Sequence, residues 1–394
     1  MSKFIEPATA EDYRELARRR LPRQIFDYLD GGSYQELTRF NNESAFAAIR
    51  LRQRVLTDVS SIDLSCQRAG QPFALPIALG PVGLAGLMAR RGEVQAHRAA
   101  ASKGISFCAS TVSLCSVEEI ARAHPQRPPW FQLYLMKDRD YVKRLLQRAS
   151  DSGVETLVVT VDLARLGSRY RDIRNGFDGP QSLAKRWARI KDIASHPGWV
   201  WDVAVKGKPL VFGNLSEAVP DASSLPDFKQ WVDGQFDASV NWQTLGWLRQ
   251  QWQGRLFIKG VMDADDAKRA VACDVDGIIV SNHGGRQLDS VAPSITKLAE
   301  IRKVVDEQTK TPPEIWLDGG VRSGLDVAKA MALGADGCLL GRAWAFALAA
   351  RGERGVRELL ARLKNELTVA MALMGVTRLS ELGTDNLDSW EHNL

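Results

Sequence analysis

Histidine is scarce in this chain, five in 394 residues, and no two stand four apart as they would on a zinc-binding helix face. The five cysteines (Cys66, Cys108, Cys115, Cys273 and Cys338) are odd in number and scattered, with no Cys-x-x-Cys pair. They read as reduced thiols, not as metal ligands or a disulfide framework. No stretch reaches 18 uninterrupted apolar residues, so no membrane span is expected. The opening, "MSKFIEPATAEDYREL", holds no apolar core of signal-peptide length. Low-complexity tracts are missing too, and the net charge of +5 is a mild excess. These absences set the expectation of a cytoplasmic globular protein without a metal. No binding motif accompanies the basic residues, so nucleic acid is not an expected partner.

What is present is a regular series of short apolar runs bounded by turn residues. They are "LPIALGPV" (75–82), "SFCAST" (106–111), "WFQLYL" (130–135), "TLVVTVDL" (156–163), "RLFIKGV" (255–261), "GIIVSNH" (277–283), "EIWLDGGV" (314–321) and "GCLLGRA" (337–343). Between most of them lie helix-patterned segments, several ending in glycine. Apolar strands alternating with amphipathic helices predict a parallel sheet covered by helices, and eight such units predict an α/β fold of the (β/α)8 TIM-barrel type. The chain reads as a single barrel domain over residues 1–394. Residues 1–74 form a helix-like, arginine-rich lead-in, and 164–254 are a long insertion after the fourth strand.

Such barrels carry their chemistry at the carboxyl ends of the strands. Here those ends bring Tyr134, Asp162, Lys259, His283 and Arg286. Any one alone reads as a cap, an ion-pair partner or a satisfied core residue; five at one end do not. After strands seven and eight, "DGGVRSG" and "LGRA" place glycines beside Arg322 and Arg342, in the usual phosphate position of this fold. A phosphate at one side of the mouth and a His/Arg pair at the other predict a phosphate-bearing cofactor lying across it.

"SNHGGRQLD" (281–289) resembles the signature of the FMN-dependent α-hydroxy-acid dehydrogenases and oxidases. So do "LPRQIFDYLDGG", "WFQLYLMKDRD", "TLVVTVD", "FIKGVMDADDA" and "LDGGVRSGLDVAKAMALGADGCLLGR". "RQRVLTDVS", "PVGLAGLMARRGEVQA", "STVSLCSVEE" and "HPGWVWDVAVKGKP" are similar to the bacterial quinone-linked L-lactate dehydrogenases within that family. The resemblance implies FMN as cofactor and a small L-2-hydroxy acid, most simply L-lactate, as substrate. It implies His283 as base with Asp162 as its carboxylate partner, and Arg286, Arg169, Tyr28 and Tyr134 around the substrate. Lys259 would stand at the flavin N1–C2=O edge, and Ser110, Gln132, Thr160, Ser281 and the Pro81, Val82, Gly83 turn would border the ring. Asp318, Gly320, Arg322, Gly341 and Arg342 would take the ribityl chain and phosphate. The two glycines between His283 and Arg286 would leave room for flavin and substrate. Relatives have proline after the aspartate of "TVD", where this chain has Leu163 and Ala164. A homotetramer is also implied.

Gly83 matches quinone-linked relatives, where oxygen-using ones have alanine, which favours a dehydrogenase passing electrons to a quinone. The alternatives are an oxygen-using oxidase, a mandelate-type dehydrogenase, or a flavin-binding partner module without turnover. The stretch 182–212 holds six Lys/Arg against two Asp, with Trp187, Trp199 and Trp201. It reads about equally as a peripheral contact with the inner face of the cell membrane and as a solvated lid whose tryptophans pack on the barrel or a neighbouring subunit, and the resemblance to membrane-associated relatives tips the reading slightly to the membrane.

Overall fold

The computed structural model describes residues 6–177, 182–218 and 234–389. Its eight central strands are those of the apolar runs: β1 (Ile77–Leu79), β2 (Ser106–Ser110), β3 (Trp130–Leu133), β4 (Thr156–Thr160), β5 (Arg255–Val261), β6 (Gly277–Val280), β7 (Glu314–Asp318) and β8 (Gly337–Leu340). They pair in parallel in sequence order, and β8 closes on β1 with Cys338 opposite Ile77. The runs are continuously apolar because both faces are covered: β2, β3, β4, β6 and β8 are buried at every position. Most strands stop two or three residues before their run does. The remainder, such as Pro81–Val82 and Val321, leaves the sheet and lines the barrel mouth.

Side-chain caps start the surrounding helices. Asp138 caps Arg139–Asp151, Asp263 caps Ala264–Ala272, and Ser323 caps Gly324–Ala332 in a box with Asp326. Trp242–Gln251, capped by Asn241, delivers the chain to β5 and takes the place of the barrel's fourth helix. The part without a barrel counterpart therefore ends near residue 241 and not at 254. The Trp- and Gln-rich sequence of that helix hides a narrow apolar stripe in which Leu245 and Leu248 are buried.

The lead-in is more than helices. α1 (Ala10–Arg20) and α2 (Arg23–Asp30) pack on the helix that begins at Arg342, and α3 (Leu37–Ala48) packs on the helix Ser294–Gln308. A hairpin then pairs Cys66–Arg68 with Gln71–Phe73. It stoppers the amino end of the barrel, where Phe73 meets the rings of Trp130 and Trp316 at 6.1 and 5.9 Å. Trp130 in turn meets Trp316 at 5.1 Å and Phe257 at 5.5 Å, so one end of the barrel is a closed aromatic plug. The carboxyl end, among the described residues, opens into a cavity. Among the described residues no helix is long and apolar enough to cross a membrane.

Candidate active site

The open end holds a cavity of about 970 Å³, walled by the strand ends, α2 and the insertion. His283, three residues past the end of β6, has φ +57°, and Gly284 and Gly285 follow at +62° and +70°. Three left-handed residues in a row make a tight turn, and a histidine held there stores strain of about 1–3 kcal/mol. The glycines serve this turn and its neighbours. A Cβ on Gly285 would lie 2.6 Å from the backbone nitrogen of Arg39, and one on Gly284 would lie 2.9 Å from the Arg342 guanidinium. The room they leave is thus taken by α3 and by Arg342, a different reason from the one expected.

The turn aims His283 into the cavity with Nδ1 2.9 Å from an Asp162 oxygen. Burial, with Lys259 nearby, holds the imidazole below its ordinary pKa, while Asp162 works in the other direction. Across the cavity Arg286 donates to the carbonyls of Tyr28 and Gly31 at 2.8 and 2.9 Å. Arg286 and Arg169 both lie on the Tyr28 ring, at 5.0 and 6.0 Å. Burial and the neighbouring Arg169 bring the Arg286 pKa down to about 10. Two guanidinia so close, one with a buried Nε without a protein partner, Arg169, form a place for an anion. The Tyr134 phenol is pushed up by burial and by Asp162, which keeps it protonated. The Tyr28 hydroxyl reaches the Gly83 carbonyl at 3.4 Å.

At the barrel axis Lys259 is buried, donating to the Ser281 hydroxyl at 2.9 Å and paired with Asp318 at 2.9 Å. Ser281 donates on to Asp318 at 2.6 Å and accepts the His283 N–H at 3.0 Å. Burial alone would neutralise the Lys259–Asp318 pair; their mutual attraction keeps Lys259 raised, Asp318 lowered, and both charged. Gly260 beside them is a bulge at φ +111°, and a Cβ there would lie 2.7 Å from Asp162.

The group implied by the resemblance, FMN, brings a ring with polar edges and a phosphate, and three observations fit it. Gln132 accepts from Ser110 at 3.0 Å, while its buried Nε2 has no partner. Arg342 is buried with carbonyl partners, Gly284 at 2.9 Å and Gly31 at 2.7 Å, and an unpartnered Nε. Burial and the surrounding Arg286, Arg322 and Arg39 lower its pKa well below the guanidinium norm, the position of a cation awaiting an anion. Gly341, at the start of the helix Arg342–Met374, faces open space, where a Cβ would meet nothing within 4 Å. Gly320, at φ +87°, instead touches α3, since its Cβ would strike the Asn42 carbonyl at 2.2 Å.

Most of the expected residues line this one cavity: Tyr28, Pro81, Val82, Gly83, Tyr134, Thr160, Arg169, Lys259, His283, Arg286, Asp318, Gly320, Arg322, Gly341 and Arg342. Ser110, Gln132, Asp162 and Ser281 stand behind its wall, in contact with one another or with its residues. The rest of "SNHGGRQLD" anchors the site. Asn282 exchanges two amide hydrogen bonds with Asn42 of α3, each 2.8 Å. Asp289 accepts the Thr38 N–H at 2.8 Å at the start of α3. Gln287 donates to the carbonyls of Asp162 and Arg165, both at 3.0 Å, and so holds the insertion. Sequence reading missed these three, although polar residues next to a buried strand signal a need for partners. It also missed Asp30, buried among Arg14, Arg39 and Arg171 at 2.6, 3.0 and 2.7 Å.

Comparison with known proteins agrees with this architecture. The chain is 51% identical over 375 residues to an L-lactate dehydrogenase of Caulobacter vibrioides, covering 95% of this chain and 96% of that protein. It is 48% identical over 380 residues to an L-lactate dehydrogenase of Pectobacterium atrosepticum, covering 96% of each. The crystal structure of the monotopic membrane protein (S)-mandelate dehydrogenase superposes with a TM-score of 0.89 at 37% identity, covering 98% of this chain and all of that one. A mandelate oxidase structure superposes at 0.80 with 34% identity, covering 97% and 98%. The profile of one family, FMN-dependent dehydrogenase, matches residues 17–389, and the chain belongs to that family.

Proposed function

We propose that the chain oxidises L-lactate to pyruvate and passes the electrons to a quinone at a membrane surface. FMN-dependent oxidation of an L-2-hydroxy acid follows from the family and from relatives at 48–51% identity; the particular acid and the acceptor are our reading. The observation that carries it is the His283–Asp162 contact of 2.9 Å facing two guanidinia on one tyrosine ring. Asp162 accepts the Nδ1–H, a tautomer assigned from that partner, which leaves the Nε2 lone pair as the base. Its lowered pKa keeps the imidazole neutral at pH 7. Arg286 and Arg169 bind the carboxylate, and the Tyr28 and Tyr134 hydroxyls orient the substrate. Bound FMN supplies the two-electron acceptor. Lys259, Gln132, Ser110, Thr160, Ser281 and the Pro81–Val82–Gly83 turn would hold its ring, and Asp318, Gly320, Arg322, Gly341 and Arg342 its ribityl phosphate.

The membrane part of the reading rests on the insertion. The helix Leu183–Ala194 exposes Leu183, Trp187 and Ile190 (74, 64 and 53%) at spacings of four and three, a single apolar stripe flanked by Lys185, Arg186 and Lys191. Trp201 is exposed as well, whereas Trp199 is buried and donates to the Leu87 carbonyl at 2.7 Å. The two expectations for 182–212 therefore divide between its tryptophans. A membrane protein among the structural neighbours supports the same reading. The four-subunit assembly rests on resemblance alone.

Anaerobic stopped-flow at 450 nm with L-lactate, glycolate and L-mandelate tests the chemistry. Fast bleaching by L-lactate, lost by about 10²–10⁴-fold in His283→Gln, is expected. Faster bleaching by mandelate would replace lactate as the substrate. For the membrane, serines at 183, 187 and 190 should release the protein from anionic liposomes with lactate-driven bleaching intact; unchanged sedimentation with liposomes would remove membrane contact.

A further inference from the structure

The cavity extends well beyond the charged residues that hold cofactor and substrate. From the Pro81–Gly83 turn it continues under the insertion, between Ile25, Leu87, Ile193, Trp199, Leu210 and Phe212. This annex is apolar and aromatic; Arg189 and Gln24 bring hydrogen-bond donors to its wall. Nothing in the oxidation of a three-carbon acid needs it. The helix Leu183–Ala194 separates it from the outside: Arg189 and Ile193 line the cavity, while Leu183, Trp187 and Ile190 form the exposed stripe. One helix thus has an apolar annex of the active cavity on one side and the surface assigned to the bilayer on the other.

We propose that this annex is the binding site of the electron acceptor, a lipid-soluble benzoquinone entering from the membrane past the helix 183–194. This rests on the quinone reading above. A benzoquinone is a flat ring with two carbonyl acceptors and an apolar tail. Trp199 and Phe212 supply flat apolar walls, Arg189 and Gln24 donors for the carbonyls, and Ile25, Ile193 and Leu210 aliphatic contact for the start of the tail. The balance closes. The hydroxy acid loses two electrons and two protons as its C–H and O–H bonds break and the C=O forms. The quinone gains the same as its two carbonyls become the O–H groups of a quinol, and FMN returns to its oxidised form.

The test uses the holoenzyme with Ile193→Glu, and Arg189→Gln as a second variant that leaves the apolar wall intact. Flavin is reduced anaerobically, by L-lactate and separately by dithionite, and then mixed with ubiquinone-1 or with ferricyanide, a hydrophilic acceptor. We expect Ile193→Glu to slow reoxidation by ubiquinone-1 at least about tenfold, with ferricyanide reoxidation and lactate reduction within about twofold of wild type. Arg189→Gln should show the same selectivity with a smaller loss. An azido-ubiquinone photolabel should attach within 189–212 in the wild type and be competed by ubiquinone-1. Equal slowing with both acceptors, an unchanged quinone rate, or label recovered elsewhere would overturn the assignment. If the wild type, reduced by dithionite, is not reoxidised by ubiquinone-1 at all, the quinone reading itself falls. Competition of the label by a long-chain 2-hydroxy acid would instead assign the annex to the substrate side chain.

Discussion

Replacing Arg342 by methionine should weaken FMN binding and yet leave the flavin-free protein no less stable. In the structure the guanidinium is buried and makes two hydrogen bonds, to the Gly284 and Gly31 carbonyls. Of the charges acting on it, Arg286, Arg322 and Arg39 repel and Asp30 attracts. Without an anion, two charge-assisted bonds of about 1.5–3 kcal/mol each stand against a burial cost of several kcal/mol for the cation. Methionine loses the first and escapes the second, so flavin-free stability should be unchanged or rise by about 1–2 kcal/mol. With FMN the sign reverses. Losing one or two charge-assisted bonds to phosphate removes about 3 kcal/mol, or roughly a hundredfold in Kd. Quenching of flavin fluorescence on titrating flavin-free protein measures Kd, and urea unfolding with and without FMN measures the two stabilities. Riboflavin, which lacks the phosphate, is the control: its affinity should hardly differ between wild type and variant. An FMN affinity changed by less than about tenfold, or an equal loss for riboflavin, would refute the phosphate role and with it the reason for burying this cation.

The barrel was legible because parallel strands covered on both faces read as unbroken apolar runs, and the eight runs map onto β1–β8. The hairpin Cys66–Arg68 with Gln71–Phe73 was not. Its strands are three residues long and one contains Pro72, so only contact with Trp130 and Trp316 identifies it. The site divides the same way. Glycines beside arginines after β7 and β8 point to a phosphate from sequence pattern alone, and the structure brings Arg322 and Arg342 to the one cavity; that His283 meets Asp162, 121 residues away, comes only from resemblance. The reason for Gly284 and Gly285 was misjudged because their crowding comes from Arg342 and α3, which no local pattern places there. In the insertion, composition named three tryptophans but not their directions. Trp187 shares an exposed stripe with Leu183 and Ile190, whereas Trp199 lies beyond the end of that helix and turns inward, and Trp201 faces out again.

Three further outcomes follow from individual contacts. Gly83→Ala would put a Cβ 2.7 Å from Val112 Cγ2 and 3.2 Å from the Tyr28 hydroxyl; displacing them at about 1 kcal/mol should raise KM for the hydroxy acid about fivefold, and an unchanged KM would show that Tyr28 does not touch substrate. Asp30→Ala removes the carboxylate that Arg14, Arg39 and Arg171 share, leaving Arg14 to Glu11 and the other two to Glu36, and should lower unfolding stability by about 1.5–3 kcal/mol in urea; a loss under about 0.5 kcal/mol would mean that the cluster is solvated. The pH dependence of flavin reduction by the hydroxy acid tests the base. His283 acts as the neutral imidazole, so kcat/KM is full above its pKa and is lost as pH falls through it. Burial and Lys259 hold that pKa below the ordinary 6.5, which places the acid limb below 6.5 and leaves the rate flat at neutral pH. Asp162 is the group that pulls the imidazole back up. In Asp162→Asn, therefore, the limb should move to still lower pH while the plateau drops, because a less basic imidazole that has lost its orienting carboxylate is a poorer acceptor of the substrate proton. A limb that moves to higher pH in that variant would mean that Asp162 does not act on His283 through its charge, and the pairing at the centre of the site would need another explanation.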